Sequence, residues 1–115
     1  CRIAATRRRH DRDALRLAAC KQLEAQAAQH GALQHVPAPE APPNKLYICG
    51  DTHGQLQDVL WIFDTHGLPS PSNAYLFNGD MADRGANANE ILCLILAYKL
   101  ACPECIYFNR GAPPI

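Results

Sequence analysis

The sequence predicts an α/β fold in which strands and helices alternate as β-α-β-α-β, preceded by one further helix. Three observations carry this expectation. Short apolar runs, "LYIC", "AYLF" and "CIYF", are separated by two segments of helical character. Each run leads into a Gly-containing polar loop, "GDTHGQ", "NGDMADRG" and "NRG". Alternating strands and helices imply parallel strands joined by right-handed crossovers.

The chain has 115 residues, enough for one small domain with a lean core. Residues 10–30 are rich in Ala, Leu, Gln and Arg, all good helix formers. Leu15, Ala19, Leu23 and Ala27 fall close to one face, and Gly31 stands where such a helix ends. Residues 37–43, "PAPEAPP", form a Pro-rich connector that favours extended backbone. The expected divisions are therefore an N-terminal helical segment at 1–36, the connector at 37–43 and a folded domain at 44–115.

Within that domain, residues 46–49 are the first strand candidate. Leu56, Val59, Leu60 and Phe63 follow at i, i+3, i+4 and i+7, a helical stripe closed by Gly67, with His66 near the negative end of the helix dipole. Residues 74–77 are the second strand. "ANANEILCLILAYKLA" is a helix with so few polar positions that cover on both sides is expected. Residues 105–108 are the third strand.

Lys plus Arg and Asp plus Glu each total 11, so the formal charge is zero, and no nucleic-acid partner is expected. The cluster Arg7-Arg8-Arg9, with His10 and Arg12, lacks interleaved aromatics and reads as a solvated helix start. The longest apolar run, 91–97, falls far short of the roughly 20 residues that cross a bilayer, so no membrane partner is expected either. Among six cysteines, Cys49 and Cys93 read as small buried hydrophobes. Cys102 and Cys105 could form half a zinc site, but no second pair accompanies them, and two free thiols at a helix-to-strand corner are expected. That reading places the chain in a reducing compartment, cytoplasmic or nuclear. Because the chain starts at Cys1 and ends in a bare "APPI", it is expected to be a fragment at both ends.

The chemistry gathers at the strand ends. The pairs Gly50-Asp51 and Gly79-Asp80 lie one βαβ unit apart, about 30 residues. In open parallel sheets functional groups collect at the carboxyl ends of strands, and neighbouring strands lie only about 4.8 Å apart. Asp51, His53, Asp80 and Arg110 are thus brought within reach of one small site. Two carboxylates and an imidazole suit Mn, Fe or Zn better than Ca. Gly50, Gly54, Gly79 and Gly85 allow close backbone approach or positive φ. Arg84 offers a planar fork for phosphate oxygens. Singly, each has a plain reading: Gly-Asp as a turn, Asp83-Arg84 as a weak local ion pair. Together they are equipment for phosphoester hydrolysis. His10, His30 and His35 lie outside this set and receive no role.

"GDTHGQ" and "GDMADRG", in this order and spacing, resemble the first two motifs of the PPP family of metal-dependent serine/threonine protein phosphatases. "FNRG" resembles the opening of the third. "HGLPSPSNAYLFNGD" is similar to the branch containing the tetratricopeptide-bearing and EF-hand-bearing members, Asn109 leans toward the latter, and the helix at 10–30 resembles the segment preceding the core there. The resemblance spans about 44–111 and implies the N-terminal half of a calcineurin-like metallophosphoesterase β-sandwich flanked by helices. It implies Asp51 and His53 as ligands of a first metal, Asp80 as a bridge between two, and Arg84 as a phosphate-binding residue. It implies Asp83 as the carboxylate that orients a general-acid histidine, and Arg110 as a supporting residue. The family site holds two metals, of which this chain would ligate one well.

The departure is at the third motif. Where the family has an Asn for the second metal and then the proton-donating His, this chain has Ala112 and Pro113. Neither can ligate a metal or donate a proton. The expected function is serine/threonine phosphoprotein dephosphorylation by metal-activated water, carried by a truncated catalytic domain, with a phosphoprotein as substrate. The isolated chain is expected to be inactive. The alternatives are a degenerate fragment acting through contacts, or another metallophosphoesterase such as a dinucleoside polyphosphate hydrolase.

Overall fold

The computed structural model describes residues 11, 13–14, 16–18, 20–25, 28, 33–81, 84–109 and 111. The chain forms two compact units, Cys1–His35 and Val36–Ile115. In the first, the described residues between 11 and 28 are helical, with Leu17 exposed and Leu23 half-buried. Leu15, Ala19, Ala27, Gly31, the histidines at 10 and 30, and the arginines at 7, 8, 9 and 12 lie outside the described residues. No described helix is long and apolar enough to cross a membrane.

The second unit runs β1 (Lys45–Cys49), α1 (Leu56–His66), β2 (Asn73–Asn78), α2 (Ala88–Ala101) and β3 (Ile106–Asn109). The strands form one parallel sheet in the order β1-β2-β3. Register puts Tyr47, Tyr75 and Ile106 in one row and Cys49, Phe77 and Phe108 in another row of the same face. Strand order advances in one direction, so right-handed crossovers deliver both helices to this face. The core forms there, from Val59, Phe63, Tyr75, Phe77, Ile91, Ile95, Cys105 and Ile106. Phe63 is its hub, edge-on to Tyr75, Phe77 and Tyr98 at centroid distances of 5.0, 6.3 and 5.9 Å. On the opposite face Ile48 is 70% exposed.

Helix α1 buries Val59 and Phe63 of the expected stripe, half-buries Leu56 and leaves Leu60 exposed. It ends at Gly67, whose φ of +92° only glycine adopts easily. The carbonyls freed there are taken up by β2. The Asn73 amide donates to His66, Gly67 and Leu68 at 3.2 Å each, and the Tyr75 hydroxyl donates to Gly67 at 2.6 Å.

Helix α2 departs from the expectation of cover on both sides. Ile91, Ile95 and Lys99 are buried at i, i+4 and i+8, while Leu92 and Cys93 on the outer side are exposed. Cys93 is therefore not a buried hydrophobe, and Cys49 is only half-buried, with desolvation pushing its thiol upward. Lys99 is 4% exposed. Its ammonium donates to the carbonyls of Pro103 at 2.6 Å and Ile106 at 2.8 Å and lies 4.7 Å from the Tyr107 ring centroid. Burial pulls its pKa below the ordinary lysine value. Cys102 and Cys105 are not free thiols: they are joined in a disulfide across the α2–β3 turn.

The loops that follow the strands are locked together by backbone. The carbonyl of Asp80 accepts from the N–H groups of Thr52 at 3.2 Å and His53 at 3.0 Å, and Met81 accepts from Gly54 at 3.0 Å. Asn87, just before α2, donates back to Gly54 at 3.2 Å. Glycines make these approaches geometrically open. A Cβ on Gly54 would sit 2.8 Å from the backbone of Gly85, and one on Gly111 would sit 2.5 Å from the Asp80 nitrogen. Gly50, by contrast, has open space around it and no positive φ, so the close approach expected of it does not occur.

Two stability predictions rest on these contacts. Gly85→Ala puts a methyl against the carbonyl of His53 and the backbone of Gly54, and is expected to cost about 1–3 kcal/mol in urea unfolding. Lys99→Met leaves two carbonyls without their donor and is expected to cost about 1–3 kcal/mol in the same assay. Unchanged midpoints would contradict either account.

Candidate metal centre

The stitching of the first two loops decides where three side chains point. Asp51 and His53 follow β1, and Asp80 follows β2 at the equivalent distance from its strand. One donor atom from each of Asp51, His53 and Asp80 lies within 4.8 Å of the other two. His53 Nε2 is 3.5 Å from Asp51 Oδ2. Asp51 is exposed, while His53 and Asp80 are half-buried, so the group opens to solvent on one side. His53 Nδ1 is buried without a hydrogen-bond partner, which leaves Nε2 as the nitrogen turned toward the carboxylates.

The backbone is bent to achieve this. His53, Asp80 and Arg84 have φ of +45°, +22° and +72°. Asp and His tolerate the left-handed region better than most residues, whereas Arg does not. Non-glycine residues held there cluster at functional sites, where surrounding structure over-determines them. At His53 and Asp80 that structure is the pair of hydrogen bonds to the Asp80 carbonyl.

The donor set fits a metal ion. Ligand atoms about 2.1 Å from a shared ion lie at most about 4.2 Å apart, so a spread of 4.8 Å closes with side-chain movements of about half an ångström. Two carboxylates and one imidazole match the ligand preferences of Mn, Fe and Zn. Among the described residues no other group of His, Cys, Asp and Glu meets this geometry.

Arg84 is exposed in the loop after β2. Asp83 and Arg110 lie outside the described residues, as do Ala112 and Pro113. Two features were not anticipated from the sequence. Thr52, between two ligand candidates, is buried with its hydroxyl unpartnered. At the ends of β2 and β3, the Asn109 amide donates to Asn78 Oδ1 at 2.6 Å, linking the strands that feed the second and third loops. The signal for it was available: an Asn closes each of the two strands. Beside β1 a cavity of about 370 Å³ runs between Tyr47, Asp58 and His66 and reaches Asp51 at one end.

Residues 45–111 match the family model described as calcineurin-like phosphoesterase. The chain is 56% identical over 66 residues to serine/threonine-protein phosphatase T of Schizosaccharomyces pombe, covering 57% of this chain and 14% of that one. It is 53% identical over 66 residues to serine/threonine-protein phosphatase 5 of Arabidopsis thaliana, covering 57% and 12%. It is 48% identical over 67 residues to human serine/threonine-protein phosphatase with EF-hands 2, covering 58% and 9%. Among solved structures it is similar to a protein serine/threonine phosphatase from Saccharomyces cerevisiae, with a TM-score of 0.59 and 44% identity over 62% of this chain and 22% of that one. The chain thus spans less than a sixth of the length of these curated relatives. With the family model covering more than half of its residues, the chain belongs to the calcineurin-like phosphoesterases, and the relatives it is similar to are serine/threonine protein phosphatases.

Proposed function

We propose that this chain is the N-terminal part of the catalytic domain of a serine/threonine phosphoprotein phosphatase and carries the first-metal half of its site. The observation that supports this reading best is the convergence of Asp51, His53 and Asp80. In this reading Asp51, His53 and Asp80 would hold one ion, and Asp80 would also be available to a second. A bound ion of this class supplies the Lewis acidity that makes water a usable nucleophile at neutral pH.

The chain's own residues do the rest. The two carboxylates would balance the formal charge of a divalent ion, and three ligands would leave coordination positions open. Arg84, exposed four residues after Asp80 in sequence, is the candidate for binding phosphoryl oxygens in a bidentate fork. Asp83 is proposed to orient a general-acid histidine, and Arg110 to support the third loop. In this chain, position 113 is a proline, which has no proton to give. This position therefore supplies no proton to the departing serine or threonine oxygen. The proposed substrate is a phosphoprotein.

The test uses the purified 115-residue chain. Mn titration followed by electron paramagnetic resonance is expected to give one bound ion per chain. Asp80→Asn and His53→Ala are each expected to weaken binding by tenfold or more, about 1.4 kcal/mol. Phosphate release from a phosphoserine peptide is expected to stay at background. Mn-dependent release that disappears in Asp80→Asn would overturn the half-site reading, and absence of Mn binding would overturn the metal assignment.

A further inference from the structure

The α2–β3 corner carries chemistry that phosphoester hydrolysis does not use. Cys102 and Cys105 are joined by a disulfide with a Cα–Cα distance of 5.5 Å, within the usual range for such bonds. The two sulfurs sit in different surroundings. Cys105 is 1% exposed and belongs to the core cluster, whereas Cys102 is half-exposed at the C-cap of α2. The turn is held from both sides by backbone: Cys102 N–H donates to Tyr98 at 2.8 Å and Cys105 N–H to Cys102 at 3.0 Å. Lys99 clasps the carbonyls of Pro103 and Ile106, which bracket Cys105 in sequence. Among the described residues no further metal-ligating group joins the pair, so the half zinc site is left without its other half.

We propose that Cys102 and Cys105 form a reversible thiol–disulfide exchange site whose redox partner is a small thiol of the glutathione type. An incoming thiolate attacks the sulfur it can reach, that of Cys102. The Cys102–Cys105 bond breaks, a mixed disulfide forms on Cys102, and the electron pair leaves on Cys105. A second thiolate attacks the outer sulfur of the mixed disulfide, releasing the oxidised small thiol and the Cys102 thiolate. Two protons from the thiols complete the dithiol. In the oxidising direction the steps reverse, and the order of attack is retained: Cys102 takes the small thiol first, and Cys105 closes the bond from within. The pair thereby works as a redox-controlled fastener between the end of α2 and the start of β3, the strand that leads to the third loop.

The experiment equilibrates the full 115-residue chain in buffers of varied reduced-to-oxidised glutathione ratio, quenches with acid, alkylates free thiols and identifies the peptides by mass. The peptide bearing residues 102 and 105 is expected to pass between disulfide and dithiol, reaching the same fraction from either direction. The oxidised chain is expected to melt about 5 °C or more above the reduced chain, because the crosslink restricts the unfolded state. In Cys105→Ala, Cys102 is expected to gain glutathione; in Cys102→Ala, Cys105 is expected to gain it at least tenfold more slowly. A pair that stays dithiol in fully oxidised glutathione, or equal rates in the two variants, overturns the proposal. Should Cys105→Ala not fold, the wild-type titration decides, and failure to reach a common fraction from both directions overturns it.

Discussion

The second unit of this chain depends on one constraint: three loops must approach one another more closely than side chains allow. Gly54 lies against Gly85, and Gly79 lies against Gly111, with backbone in the space a Cβ would fill. Around these contacts the Asp80 carbonyl draws in two N–H groups of the first loop. This single acceptor bends His53 and Asp80 into the left-handed region and brings their side chains toward Asp51. Parallel strands supply the direction, and glycines supply the last few ångströms. Without the second, the first two loops would splay, and three ordinary polar residues would remain ordinary.

The energetic arrangement follows from that geometry. The strained and polar site is carried at the carboxyl edge of the sheet, while cohesion comes from below it. Phe63, Tyr75, Phe77, Ile91, Ile95 and Ile106 pack on one face. Side chains of β2 tie off the end of α1, and Lys99 ties off the end of α2. The Cys102–Cys105 bond adds a covalent link at the second of these corners. Burying a lysine to satisfy two carbonyls is an unusual choice, since desolvation opposes its charge. Here it supplies donors to one carbonyl of the turn, that of Pro103, and to one of β3, that of Ile106.

Much of this was legible in the sequence. The strands stood out as short apolar runs and the first helix after them as an apolar stripe at a period near 3.6. Asp51, His53 and Asp80 stood out because each follows an apolar run at a glycine, and the structure brings those three together. What stayed hidden was specific to three-dimensional contact. Gly111 belonged to the third polar loop without any sign that it is the partner of Gly79, and Gly50 was expected to allow close approach or positive φ but has open space. Lys99 drew no attention in the sequence, although its spacing from Ile91 and Ile95 already placed it on the buried stripe. Cys102 and Cys105 read as two free thiols, with half a zinc site as the alternative, and the disulfide that joins them was not foreseen. Helix α2 looked covered all round because Leu92 and Cys93 are apolar, yet both face outward. Composition identifies residues that can be buried, and only packing selects which are.

The central claim is that Asp51, His53 and Asp80 act as one set of metal ligands because the first two loops are locked by backbone. An anomalous difference map from a crystal of the chain grown with Mn tests it most directly. The account predicts one peak within about 2.3 Å of an oxygen of Asp51, a nitrogen of His53 and an oxygen of Asp80. A map with its strongest peak elsewhere, or with no peak among these three residues at saturating Mn, would contradict it.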